Sequence, residues 1–369
     1  MLSSGRLTQR RQYTLFFALV VGVAVAGYLV GHPRGRSAGI VDAVPRGAWL
    51  VVTIDVAAVR SSPIAQPLIA AGGTSLPGLG PLSDACGFDP LTRMKEVLVT
   101  SPETGEPGEF GIAFTGDFTR DELARCADKA IRARGGSPAT STHGAFTTVE
   151  DTADAKHARV AYREGGPFLV GRGAWLDAMI DAVDGHPGGP GPEHTALRES
   201  LAPKQGSPAQ AIVLTALLPS ALREKLKGDL GAELGSEADK AYVSVLAVSE
   251  AGVALGTGGA GSTTELVAEL RCETPAACSE VKALVERKRL AFSREIGVRL
   301  LGLGPLLDSL KVDIHGPSLS ASARAPTDDL ARAVQRALDF RGGGRAHASP
   351  AGSASPAPPQ VPAGAPSGR

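Results

Sequence analysis

Glu109 to Leu123 reads EFGIAFTGDFTRDEL and Gly252 to Leu266 reads GVALGTGGAGSTTEL. In each, a short apolar strand ends at Thr-Gly. A hydroxyl residue then stands three positions before a Glu, at Thr119–Glu122 and Ser262–Glu265, and Leu follows the Glu. That spacing predicts a capping box, in which hydroxyl and carboxylate satisfy the free amides of a helix start. Working outward, WLVVTIDV at Trp49 matches AIVLTALL at Ala211, and GRGAWLDAMIDAV at Gly171 matches APTDDLARAVQRAL at Ala325. The same order of segments twice predicts an internal repeat. Hairpins within each half favour mainly antiparallel sheets with helices packed on one face, an α+β fold.

The halves divide the chain. Residues 47–184 form the first α+β repeat, 185–209 a Gly/Pro-rich linker entered through DGHPGGPGP at Asp184–Pro192 and holding a short helix around Thr195–Leu201, and 210–340 the second repeat. In the first half, strands are predicted at Trp49–Val56, Lys95–Thr100, Phe110–Thr115, Ala145–Val149, Arg159–Tyr162 and Phe168–Val170. Helices are predicted after Ser62-Pro63, from Thr119 to about Arg134, and over Ala174–Val183. The second half predicts strands at Ala211–Leu217, Tyr242–Val248, Val253–Leu255, Leu310–Ile314 and Leu319–Ala323. Its middle helix is lengthened through Cys272–Arg299, and a last helix is capped by Thr327. The tail, 341–369, is Gly, Ala, Ser and Pro with Arg and no acid, a composition that cannot bury a core.

At the other end, Tyr13 to Val30 (YTLFFALVVGVAVAGYLV) is uncharged and flanked by Arg10-Arg11 and by Arg34 and Arg36. As a helix it would span about 27 Å, close to one hydrocarbon core. Residues 1–12 are then a basic cytoplasmic segment, 13–31 a transmembrane anchor and 32–46 a stalk. The slight excess of arginine before the run puts the N-terminus inside and the C-terminal domain in the periplasm of a bacterial inner membrane. Ala24-Val25-Ala26 also fits signal cleavage, which would release a secreted protein. Arg10-Arg11 admits a twin-arginine export signal as well.

Lys plus Arg and Asp plus Glu both count 38, so no global charge attracts nucleic acid. Aromatics make up 4% of residues, too few for a stacking platform. The cysteines, Cys86, Cys126, Cys272 and Cys278, are even in number and form no CxxC, which in an exported chain reads as disulfides. Of three connectivities, Cys86 with Cys126 and Cys272 with Cys278 is favoured. The first would tie a turn to the capped helix, with ~3 kcal/mol from loop closure. The second would clamp a helix interrupted at Pro275.

GTGGAG at Gly256–Gly261 matches a dinucleotide fingerprint, but the same turn in the first half lacks the glycines, so it is read as a strand-to-helix turn. There is no nucleophile elbow, because the G-x-S-x-G match, GRSAG at Gly35–Gly39, falls in the Gly/Pro/Arg stalk and not at a strand-to-helix turn; there is also no HExxH and no S-x-x-K in a fitting context. His143, His157, His186, His194 and His315 fall mostly in loops or at strand ends without metal spacing and read as surface residues. Asp177, Asp181 and Asp184 lie at helical spacing, an acidic patch or simply a solvated helix face. No catalytic, cofactor-binding or metal residue is therefore assigned.

Cys86-Gly-Phe-Asp-Pro90, Gly116-Asp-Phe118 and Tyr162-Arg-Glu-Gly-Gly166 together resemble uncharacterised bacterial proteins with a membrane anchor and a duplicated α+β ectodomain. The resemblance spans roughly residues 40 to 340 and implies no activity. The function expected is a non-enzymatic envelope module that binds a protein or an envelope polymer and meets the membrane through its N-terminal helix. An envelope hydrolase with scattered loop residues and a purely structural envelope component are the alternatives.

Overall fold

The computed structural model describes residues 40–67, 86–104, 108–153, 158–185, 188–224, 246–259 and 261–346. The apolar run 13–31, the Tyr242 strand start, the loop 72–81, His157 and His186 lie outside them. No helix among the described residues is long and apolar enough to cross a membrane.

A buried 3-10 turn at Val41–Ala43 leads into β1 (Ala48–Asp55) and α1 (Val56–Arg60). Then come α2 (Pro90–Arg93), β2 (Met94–Pro102), β3 (Gly111–Gly116) and α3 (Arg120–Ala133). A meander of β4 (Pro138–His143), β5 (Phe146–Asp151), β6 (Arg159–Tyr162) and β7 (Phe168–Gly171) follows, with α4 (Ala174–Val183) after it. Next are α5 (Pro192–Ser200), β8 (Gln210–Leu217), β9 (Val248–Gly256) and β10 (Thr263–Cys272). The chain closes with α6 (Pro275–Arg294), α7 (Ile296–Leu301), α8 (Gly304–Asp308), β11 (Lys311–His315), β12 (Ser318–Pro326) and α9 (Thr327–Ala346).

The capping box at Thr119 forms: its hydroxyl accepts from the Glu122 amide and Glu122 accepts from the Thr119 amide. The one at Ser262 does not. Thr263–Cys272 is a strand paired on both sides, and the Ser262 hydroxyl instead meets Thr327 at 3.1 Å. A cap is worth about 1 kcal/mol, and two full ladders outweigh it. Likewise Val248–Gly256 is one continuous strand rather than a hairpin turning at Ser249–Gly252. Ser62-Pro63 does not open a helix: residues 61–65 are turns, and the helix before them, α1, is capped by Asp55, which accepts from the Ala58 amide. Pro275 does not interrupt a helix; it opens α6, whose cap Thr274 accepts from the Ala277 amide.

Among the described residues, twelve strands form one antiparallel sheet in the order β11-β12-β10-β9-β8-β1-β2-β3-β7-β6-β5-β4. Its two sides join edge to edge through β1 and β8. Outward from this seam each side repeats a pattern: three meandering strands, a helix, then a strand (β7 or β12) docked beside the third. Thr53 pairs with Val213 and Val51 with Thr215, so exchanging the matched residues of the two strands reproduces the same pairs. The Gly252–Leu266 segment, however, spans β9 and β10, so its strand corresponds to β2 by position and not to β3.

Helices cover both faces, not one. On the first face Leu50, Val52 and Ile54 of β1 continue into Ile212, Ala216 and Leu255, beneath α1, α8 and α9. α3 packs there on Phe114, Val149 and Phe168, and α6 on Val248 and Leu319. On the opposite face, Leu98, Ala113, Ala161 and Leu169 receive Leu176, Met179 and Ile180 of α4. Each of those three side chains is fully buried, worth roughly 1.5–3 kcal/mol apiece. The end of the expected stalk belongs to this core, since Ile40, Ala43 and Val44 are buried in it. The expected linker likewise supplies α5, with Leu197 buried within it and Leu201 just after.

Cys86 is bonded to Cys126 of α3, and Cys272, at the end of β10, to Cys278 in the first turn of α6. Two disulfides fit an oxidising, extracytoplasmic compartment.

Candidate functional site

An open cleft of about 740 Å³ lies between the start of α3 and the β6–β7 turn. Its floor is aromatic. Phe118 and Phe168 of β7 line it, edge-on to one another at 6.1 Å, and Phe114 of β3 backs them, stacked on Phe168 at 5.5 Å and edge-on to Phe118 at 5.8 Å. Edge-to-face pairs of this kind fix ring positions beyond what area burial alone would do. Gly116 is required here, because a Cβ would strike the Phe118 ring and the Arg93 carbonyl.

The start of α3 is locked from behind. Arg93 lies 5.2 Å above the Phe118 ring and makes a forked pair with Glu122 at 2.9 and 3.0 Å. That guanidinium, with the cap bonds from Thr119, lowers the Glu122 carboxyl to about 2. The same pair raises the Arg93 value. Glu122 is thus ionised at any ordinary pH, and the helix start that forms one wall is held rigid.

The rim carries both signs, with Arg120 and Asp121 on α3 and Arg163 and Glu164 on the opposing turn. Arg120 lies 5.6 Å over Tyr162 and donates to the Thr147 hydroxyl at 3.2 Å. Arg163 lies 5.0 Å over Phe146 and donates to Asp184 at 2.7 Å. Gly165 takes φ +66° to close the turn between them. An aromatic floor with fixed guanidinium and carboxylate groups at its edge suits an apolar side chain flanked by polar ones.

The aspartates of α4 are neither an isolated patch nor a bare solvated face. Asp177 accepts from Arg159 at 2.8 Å, and Asp184 pairs with Arg163. His143, at the end of β4, sits 3.4 Å from Asp177 and 3.1 Å from Asp181. The Ala145 amide also donates to Asp184 at 3.0 Å. The row fastens the β4–β5 turn and β6 to α4, behind the cleft.

His194 departs from its expected surface position. It is buried on α5 at the seam, where Nε2 donates to the Ala48 carbonyl at 2.9 Å and Nδ1 accepts from the Thr215 hydroxyl at 2.8 Å. Burial lowers its pKa below the usual histidine value, although the Ala48 carbonyl works the other way. One turn on, Arg198 donates to the Thr53 hydroxyl at 2.9 Å. One helix thereby contacts both strands of the seam. The signal was present in the sequence: Thr53 and Thr215 occupy the same place in WLVVTIDV and AIVLTALL, each a hydroxyl flanked by apolar residues.

The described histidines do not converge, with His143 behind the cleft, His194 at the seam and His315 at the end of edge strand β11. Among the described residues no three His, Cys, Asp or Glu side chains are grouped to hold a metal ion. Gly256–Gly261 leads from β9 into β10, so its glycines face no helix start of their own and lack the setting of a dinucleotide loop.

The chain matches no family model and no curated protein. Among solved structures it is similar to TP0453 in two crystal forms. Form I is 12% identical, with a TM-score of 0.41 over 81% of this chain and 98% of TP0453. Form IV is 12% identical, with a TM-score of 0.44 over 81% and 97%.

Proposed function

We propose that this chain is a membrane-anchored extracytoplasmic module, held by residues 13–31, that binds a protein partner through the cleft between α3 and the β6–β7 turn. The carrying observation is the Phe118–Phe168 floor, backed by Phe114, under a rim bearing Arg120, Asp121, Arg163 and Glu164. Such a surface takes an apolar side chain from a segment whose flanks carry charge of either sign. The two disulfides support an oxidising compartment and the apolar run supports a tether. The exchangeable register at β1–β8 supports reading the ectodomain as two related halves, and the cleft belongs to the first.

A photo-crosslinker at Glu164 in native membranes tests the reading. It should capture a discrete protein adduct that a crosslinker at Ser320, on the far side of the sheet, does not. Phe118→Ala should reduce that adduct at unchanged expression. Equal capture at both positions, or no adduct at Glu164, would sink the assignment.

A further inference from the structure

Leu266 of β10 apart, the exposed large apolar side chains of the described residues are concentrated in one stretch. Leu290, Phe292, Ile296 and Leu300 are 51%, 46%, 76% and 58% exposed. They lie on the last turns of α6 and on α7. α6 is 20 residues long, yet its buried residues, Cys278 and Val281, all belong to its first half, where it packs on β10, β11 and β12. Its second half runs beyond the sheet, and α7 buries none of its residues. Singly exposed apolar side chains are ordinary, but four within eleven residues are not.

The same stretch is basic. Residues 286–300 hold Arg287, Lys288, Arg289, Arg294 and Arg299 against Glu286 and Glu295, in a chain whose overall charge is zero. Glu286 is engaged by Lys282 at 3.9 Å. On α7, Ile296 and Leu300 stand four residues apart and form one stripe, and the Arg299 guanidinium is folded back on the Ser293 carbonyl at 3.0 Å. Long basic side chains beside apolar ones can reach headgroups while Leu, Ile and Phe enter the acyl boundary.

We infer that the α6–α7 lobe is a lipid-contact site that lies on a bilayer surface bearing anionic headgroups. Charge complementarity selects that occupant. The lobe is positive and apolar at once, and an anionic bilayer offers negative charge above hydrocarbon over the whole width of the patch. The inference does not require residues 13–31 to be an anchor, because the lobe carries its own attraction.

The test uses the full chain carrying Ile296→Trp, added to vesicles whose acyl chains are brominated. Trp49 and Trp175 are present in the unsubstituted chain, which serves as the baseline. Vesicles of phosphatidylglycerol should quench the added tryptophan and vesicles of phosphatidylcholine should not. Arg287→Gln and Arg294→Gln should each weaken the quenching isotherm about five-fold, with circular dichroism unchanged. Retention of the chain on neutral vesicles reports the N-terminal run, so failure of the anchor and failure of the lobe are separate outcomes. Equal quenching in both lipids, or none in either, overturns the inference. So does an emission shift that depends on protein concentration and not on lipid, which would assign the patch to a second copy.

Discussion

The two sides of the sheet share a plan and differ in how they are covered. In the first, α3 lies on one face and α4 on the other, so β2, β3 and β7 are buried twice. In the second, α6, α8 and α9 all lie on the first face. The opposite face is covered by α5 only as far as Val213 and Ala254. Beyond it β10, β12 and β11 present charge, with Glu265 paired to Arg324 at 2.7 Å and Arg271 to Glu250 at 3.0 Å. An antiparallel sheet tolerates this, because its strands alternate and one face can remain in water. The difference traces to the final helices. α4 and α9 stand at the same place in the order of elements but pack on opposite faces. Equivalent order therefore does not guarantee equivalent packing.

The largest test of this contrast is removal of each disulfide in turn. Cys86→Ser with Cys126→Ser opens a separation of 40 residues and should cost about 4 kcal/mol by loop-closure entropy, more than the ~3 kcal/mol expected before the loop length was used. Cys272→Ser with Cys278→Ser opens only 6 and should cost about 2 kcal/mol. Urea titration distinguishes them, and equal losses would mean that strand ladders rather than chain closure set both. Next, Leu176→Ala empties the doubly covered side and should cost about 3 kcal/mol through transfer and cavity terms. A loss under about 1 kcal/mol would show that α4 is not integral.

The seam comes third. His194→Ala leaves the Ala48 carbonyl and Thr215 hydroxyl without their partner and should cost about 2 kcal/mol. The sign of its pH dependence follows from burial. The folded form resists protonation while the unfolded form takes a proton below about 6.5, so stability is full above that value and falls as pH drops through it. His194→Ala should flatten that slope between neutral pH and about pH 5. Glu122 acts in a separate window, its contribution present above 4.5 and lost as pH falls towards about 2. The smallest effect belongs to the uncovered face, where Asp313→Ala, at an exposed edge position, should change stability by less than about 0.5 kcal/mol. A larger loss would reveal that something covers this face.

What was legible in the sequence was local. β1, β6, β7 and α4 declare themselves by period, and α3 by its cap, because neighbouring residues alone satisfy those patterns. β4 was illegible because PATSTH has no apolar alternation; only pairing with β5 makes it a strand. β10 was misread because Ser262 to Glu265 imitates a cap, and the competing pull comes from Thr327 and from two ladders distant in sequence. His194 looked like a loop histidine because nothing near it in sequence names Ala48 as its partner. The aromatic cleft was half visible, since Gly116-Asp-Phe118 and Tyr162–Gly166 stood out, yet Phe114 and Phe168 gave no sign that they would stack. The choice of face for each helix is set by core shape and leaves no periodic trace.

One feature bears on mechanics. The chain enters the sheet at its middle, through a buried turn and then β1, which is hydrogen-bonded to β2 on one side and to β8 on the other. A strand at the rim would unzip one bond at a time under tension. A tug arriving from the N-terminal side meets instead a strand gripped along both edges, with Ile40, Ala43 and Val44 wedged in the core ahead of it. Whatever pulls on this protein from that end loads the joint between its two sides first.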